Sequence, residues 1–159
     1  MTDKIKTQDE LIPILNSLRK QVKKVVFTNG CFDILHVGHI RYLKEAKGYG
    51  DILIVAVNSD SSVKSIKGDK RPIVSQSERA EVVAGLEMVD YVTMFDEDTP
   101  YNLIKKLQPD VLIKGGDWTI DKIVGRDIVE ARGGKVIAIP FIEGASTTGI
   151  VERILERYR

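Results

Sequence analysis

Residues 27–39, Phe-Thr-Asn-Gly-Cys-Phe-Asp-Ile-Leu-His-Val-Gly-His, carry the side chains with the clearest chemical potential. His36 and His39, the only two histidines, stand at i, i+3 and so share one face of a helix. The β-branched run Lys24-Val25-Val26-Phe27-Thr28 reads as a buried strand turning at Asn29-Gly30. That places both imidazoles in the first turn of the next helix, beside unpaired backbone N–H groups and the positive end of the helix dipole. Such a place binds phosphate. Imidazole titrates near an unperturbed value of about 6.5, so bound polyphosphate would favour its charged form. Gly38, between the two, lets a ligand approach closely. A zinc site would need two more good ligands, and one cysteine with no third histidine supplies poor candidates.

Three further segments could join this one. Lys64, Lys67, Lys70 and Arg71 form a basic stretch, expected to be a mobile loop, that can close cations over a triphosphate; its plainer reading is a solvated loop. Ser146, Thr147 and Thr148 open the last expected helix, where one hydroxyl caps and the others could hold phosphate or ribose. In Lys114-Gly-Gly-Asp117-Trp118 the glycines, Gly116 among them, allow close backbone approach. There Asp117 could accept from ribose or sugar hydroxyls, and Trp118 could stack or merely cover the core edge. Cys31 sits where a small residue suits a turn and is expected to pack, its backbone N–H facing a nucleotide.

The elements that must position these residues alternate along the chain. Apolar strand candidates are 24–29, 51–58, 90–95, 110–114 and 135–140, and the near-continuous apolar runs suit strands covered on both faces of a parallel sheet. Helices are expected at 39–47, at 75–87 behind a Ser75-Gln-Ser-Glu78 capping box, and at 99–107 with Thr99 capping and Pro100 first. Others are expected at 121–131, ending at Gly133-Gly134, and from Ser146 to Tyr158. A helix near 7–20 has an ambiguous start, with Pro13 in its first turn or at a kink. The pattern predicts an α/β fold: a Rossmann-like, doubly wound, five-stranded parallel sheet with helices on both faces. Residues 1–22 would be a helical extension and 23–159 one catalytic core. Ligands of such sheets bind beyond the C-terminal strand ends, which gathers residues 29–39, Asn58-Ser59-Asp60, 114–118 and 144–148 at one crevice.

Composition narrows the classes. At 159 residues one solid core is expected. No apolar run approaches a membrane span and no charged start precedes an apolar stretch, so neither a membrane segment nor a secretory leader is expected. The single cysteine fits a reducing cytoplasm, and a net charge of +1 gives no general pull toward nucleic acid or anionic lipid.

An H-x-G-H run after a strand and a G-x-F-D turn resembles the nucleotidyltransferase superfamily. The resemblance is closest to the adenylyltransferase domain of ADP-heptose synthases. It rests on Thr-Asn-Gly-Cys-Phe-Asp-Ile-Leu-His-Val-Gly-His, Val-Ala-Val-Asn-Ser-Asp, Lys-Gly-Asp-Lys-Arg-Pro-Ile, Phe-Asp-Glu-Asp-Thr-Pro, Val-Leu-Ile-Lys-Gly-Gly-Asp and Ser-Thr-Thr, in order over about residues 23–155. It implies transfer of AMP from ATP to D-glycero-β-D-manno-heptose 1-phosphate, releasing pyrophosphate, with Mg²⁺ carried on ATP and no protein metal site. It also implies a separate heptose kinase as functional partner and a homo-oligomer.

On this reading His36, His39 and Lys67 are catalytic. Asn29, Gly30, Cys31, Phe32, Gly38, Gly116, Asp117, Ser146, Thr147 and Thr148 hold the nucleotide. Asp33, Asn58, Asp60, Lys64, Lys114 and Arg71 meet the sugar phosphate or its partners. The alternative is glycerol-3-phosphate cytidylyltransferase or another nucleotidyltransferase of a small phosphorylated substrate; Phe141 stands where the cytidylyltransferase family has arginine, whereas Trp118 and Glu143-Gly144 lean toward it. A dinucleotide oxidoreductase would want G-x-G-x-x-G after the first strand, which is missing. A non-catalytic nucleotide sensor is disfavoured by the intact histidines and basic stretch. A class I aminoacyl-tRNA synthetase is disfavoured by the lack of a Lys-Met-Ser-Lys-Ser-like run.

Overall fold

The computed structural model describes residues 2–159. Five strands form one parallel sheet: β1 (Val25–Gly30), β2 (Ile52–Asn58), β3 (Tyr91–Phe95), β4 (Val111–Gly115) and β5 (Lys135–Ile139). Their order is β3-β2-β1-β4-β5, so the chain leaves β1 in one direction for β2 and returns to its other side with β4. Ligand crevices open at such a reversal, between β1 and β4. Each strand lies within one or two residues of its expected span.

Alternation along the strands sends side chains to two cores. Val26, Leu53, Val55, Val57, Ile113 and Ile139 pack with Leu43, Ala46, Ala80 and Val83 on one face. Val25, Phe27, Ile54, Ala56 and Leu112 pack with Leu11, Leu15, Ile104 and Leu107 on the other. The helices in chain order are α1 (Gln8–Lys20), α2 (Val37–Lys47), α3 (Asp60–Lys67), α4 (Gln76–Ala84), α5 (Tyr101–Leu107), α6 (Arg126–Ala131) and α7 (Thr147–Tyr158). Among the described residues, no helix is long and apolar enough to cross a membrane.

The structure corrects several expected boundaries. α1 starts at Gln8 behind a true capping box, Thr7 with Glu10, and Pro13 lies inside the helix. The basic stretch is not all loop: Lys64 and Lys67 belong to α3, capped by Ser59 and seated through buried Ser62 and Val63. One apolar anchor in a polar run is too weak a period to read, yet it suffices once the sheet lies beneath it. Ser75 does precede α4, but its hydroxyl bonds the Glu78 carboxylate at 2.8 Å instead of a backbone N–H, and the helix stops at Ala84. Pro100 is itself the cap of α5, with Tyr101 first. The expected 121–131 helix is split into a 3₁₀ turn, Ile120–Lys122, and α6. The break falls at Gly125, whose φ of +90° no ordinary residue holds comfortably.

Candidate active site

The β1–α2 connection is shaped by close packing. Phe32 adopts a left-handed φ of +49° and buries its ring over Gly30, where an added Cβ would stand 2.9 Å from the ring. The Phe32 ring also lies 5.4 Å from that of His39. Gly38 is required for a reason other than ligand approach. A Cβ there would stand 2.8 Å from His36 Cε1 and 3.2 Å from Ala145 Cβ. The open space is filled by the His36 ring folding back and by the segment leading into α7.

The two imidazoles cap their own helix. The Gly38 N–H donates to His36 Nδ1 at 3.1 Å, and the His36 N–H donates to His39 Nδ1 at 3.3 Å. Both Nδ1 atoms must therefore be unprotonated, which leaves Nε2 as the N–H donor of each neutral ring. The rings stand 4.0 Å apart. Burial lowers both pKa values, and that of His39 falls to about 4, with His36 and Lys67 adding to the effect. At neutral pH the two histidines are thus neutral, not the charged pair that bound polyphosphate would favour.

A cavity of about 1010 Å³ opens beside them. Asn29, Gly30, Cys31, Phe32, Gly38, Asn58, Lys67, Arg71, Lys114, Ser146, Thr147 and Thr148 reach its lining together with both histidines. Lys114 rises from the end of β4 with its Nζ 5.5 Å from the Trp118 ring centroid. Burial pushes its pKa down, partly offset by Cys31 and reinforced by Lys67. Burial pushes the Cys31 thiol up, against the pull of Lys67, Arg79 and Lys114. α7 is pinned at the rim: Ser146 Oγ accepts from the Gly149 N–H at 2.9 Å, and Thr147 Oγ1 donates to the Ile34 carbonyl at 3.1 Å.

Five expected site residues lie elsewhere. Asp33 is buried with its carboxylate turned to residues 71–74, accepting from the Ile73 and Val74 N–H groups at 2.9–3.0 Å, with Arg71 at 3.8 Å. Those donors occupy the oxygens that a sugar would have needed. Asp60, the first residue of α3, is engaged by Arg79 at 2.9 Å. Lys64 points to the far side of α3, 3.9 Å from Asp69, and lines a separate shallow groove with Asp60. Gly116, at φ +112°, is covered by the Phe141 ring, and Asp117 is exposed outside the cavity. Asn58 does line the cavity, but it is 3% exposed and its amide is spent on Ser62 Oγ at 3.0 Å.

Sequence reasoning overlooked Arg79, whose side chain is wholly buried. The available signal was an arginine on the same helix face as Ala80, Val83 and Ala84. It also overlooked the apolar wall of Ile66, Val124, Pro140 and Ile142. Among the described residues, no group of three or more His, Cys, Asp or Glu could hold a metal ion.

A parallel sheet reversing at β1/β4, with paired histidine donors and two lysines at the reversal, has the makings of a nucleotidyl-transfer site. The chain belongs to the cytidylyltransferase-like family, whose pattern it matches over residues 27–153. It is 53% identical to the bifunctional protein HldE of Geobacter sulfurreducens over 155 residues, 98% of this chain and 32% of that protein. To the bifunctional protein HldE of a Nitratiruptor species it is 56% identical over 150 residues, 94% of this chain and again 32% of the other. The chain thus spans about a third of the length of these curated relatives. A lipopolysaccharide core biosynthesis protein from Thermoplasma volcanium superposes with a TM-score of 0.66 at 31% identity, covering 76% of this chain and 99% of the other. Pantoate-beta-alanine ligase from Francisella tularensis, at 19% identity and a TM-score of 0.61, covers 96% of this chain and 77% of its own and shares the fold.

Proposed function

We propose that this chain transfers AMP from ATP to D-glycero-β-D-manno-heptose 1-phosphate, giving ADP-heptose and pyrophosphate. The observation that carries the reading is the convergence of two neutral Nε2–H donors with Lys67 and Lys114 at the sheet's reversal point. Identity above 50% to proteins named HldE supports the choice of acceptor.

A sugar 1-phosphate is already anionic at neutral pH. One of its oxygens attacks the α-phosphorus of ATP, a P–O bond forms, and the opposite bond to pyrophosphate breaks. The chain needs to supply alignment and charge stabilisation, not a nucleophile. His36 and His39 donate through Nε2 to the α and β phosphate oxygens. Lys67 and Arg71 close on the polyphosphate from one side and Lys114 on the incoming phosphate from the other. Residues 29–32 pass beneath the nucleotide, and Ser146, Thr147 and Thr148 hold phosphate or ribose from the α7 terminus. Mg²⁺ would neutralise triphosphate charge while riding on the nucleotide's own oxygens. The wall offers it little else, since Glu45, Asp98 and Glu143 come from three separate segments and a hard ion wants about six oxygen ligands.

The reading extends to a cytoplasmic enzyme working after a separate heptose kinase, assembled as a homo-oligomer and needing no nucleic acid. Pyrophosphate release tests it, from ATP or CTP, with heptose 1-phosphate or glycerol 3-phosphate as acceptor. Release confined to ATP with heptose 1-phosphate is expected. Release from CTP with glycerol 3-phosphate would replace the substrate assignment, and no release with any pair would defeat the enzyme reading.

A further inference from the structure

Outside the groups that face the cavity, Arg79 is the most completely enclosed charge among the described residues: its side chain is 0% exposed. It rises from α4 and makes three different attachments. Nε donates to the Val74 carbonyl at 2.9 Å, Nη1 to the Cys31 carbonyl at 2.5 Å, and Nη2 to the Asp60 carboxylate at 2.9 Å. Each acceptor belongs to a different part of the site's framework. Cys31 is in the turn that carries the backbone under the cavity, Val74 follows Arg71, and Asp60 opens the helix that ends in Lys67.

Asp33 closes the same circuit from the opposite side. Its oxygens take the Ile73 and Val74 N–H groups, while Arg79 takes the Val74 carbonyl. One peptide segment is therefore gripped on both its donor and acceptor edges, by two side chains that never meet the cavity. We infer that Arg79 is a positioning residue that sets Lys67 against the His36/His39 pair by locking α3 to the Cys31 turn; this rests on the nucleotide reading of the cavity above.

Leverage explains why one contact matters. Asp60 and Lys67 stand seven residues apart in α3, which at the helical rise is about 10 Å. A tilt of roughly 5° about the Asp60 end then moves the Lys67 end by about 1 Å, enough to spoil a charge-assisted hydrogen bond. The Asp60 end is also held by its N–H to Gln76 Oε1 at 2.8 Å, so loss of Arg79 should loosen the helix without releasing it. Among the described residues the far end has no such brace, and the chain leaves it through Gly68 at φ +97°. Lysine cannot replace this arginine: one ammonium cannot serve three acceptors spread around a planar fork.

Trp118 is the chain's only tryptophan and lines the cavity, so its fluorescence follows nucleotide binding whatever the acceptor. ATP and CTP are titrated into the full chain, R79K, K67A and the double variant. Each single substitution should weaken ATP binding about 10-fold, as expected for a disturbed charge-assisted hydrogen bond. The double variant should be no weaker than K67A within about two-fold, because Arg79 acts through Lys67. Losses that multiply to about 100-fold, or an R79K chain that binds as tightly as the parent, overturn the inference. If R79K does not fold, D60N carries the same cycle, since the Asp60 side chain is 45% exposed and the change removes the charge from the link to α3 alone. A D60N loss absent from the K67A background is expected, and an equal loss in both backgrounds overturns the inference. A parent chain whose fluorescence moves with neither nucleotide refutes the proposed function instead, and with it the site that the brace would serve.

Discussion

Replacing Gly38 with alanine should separate stability from activity. On helix propensity alone the change is favourable by about 0.5–1 kcal/mol, because alanine restricts the unfolded chain. The new Cβ would nevertheless stand 2.8 Å from His36 Cε1 and 2.9 Å from its Nδ1. That is roughly 0.6 Å or more inside ordinary contact, so the imidazole must swing out. Doing so breaks the bond from the Gly38 N–H to Nδ1, which contributes about 0.5–1.5 kcal/mol. The two effects nearly cancel, and the melting temperature should stay within about 4 °C of the parent. Turnover should not survive as well. If His36 Nε2 stabilises developing phosphate charge, displacing it costs about 10²–10³ in kcat, the scale of a lost oxyanion donor. Thermal unfolding followed by circular dichroism, beside pyrophosphate release at saturating substrate, measures both. A G38A chain with near-parental turnover would refute the reasoning, since His36 would then work from another position or do no work. A collapse in melting temperature would refute the other half, showing that the contact with Ala145 Cβ at 3.2 Å governs how α7 docks.

Two further outcomes are expected. His39 has a folded pKa of about 4, below the usual imidazole value of 6.5, chiefly through burial. The unfolded chain therefore binds more protons between those values, so the His39 contribution is fully present above pH 6.5 and is lost as pH falls toward 4. Melting temperatures of H39Q should show a shallower decline across that window, and an unchanged slope would count against the assignment. In D33N an amide nitrogen replaces one of the oxygens that receive the Ile73 and Val74 N–H groups. A loss of about 2 kcal/mol is expected, roughly 4–8 °C in melting temperature; a full loss of turnover at parental stability would mean that Asp33 meets substrate after all.

Much of the architecture was legible because it rests on local signals. Continuous apolar runs such as Ile52 to Val57 suit strands buried on both faces, and strand β2 is where that run lies. Gly133 ends the α6 region as expected, because a backbone at φ +78° suits it and few others. What escaped was decided by partners distant in sequence. α3 has one strong apolar anchor, Val63, and forms because the sheet and the Ser62 bond to the Glu97 carbonyl at 2.7 Å await it. Asp33 and Asp60 looked like ligand groups because an acidic residue beside a phosphate motif carries no sign of which way it faces. Residues 73, 74 and 79, some 19–41 positions away, turned both toward the protein.

The strand-turn-helix that carries His36 and His39, the parallel α/β class and the chemistry available at the strand ends are written in the local sequence. These follow from side-chain period, turn residues and charge type, all of which act over a few neighbouring positions. Which donors face the cavity, which carboxylates are spent on backbone N–H groups, and that both histidines are neutral with the proton on Nε2 were settled by tertiary contacts. Burial and hydrogen-bond satisfaction decide those matters, and both depend on what other parts of the chain bring to the same point in space.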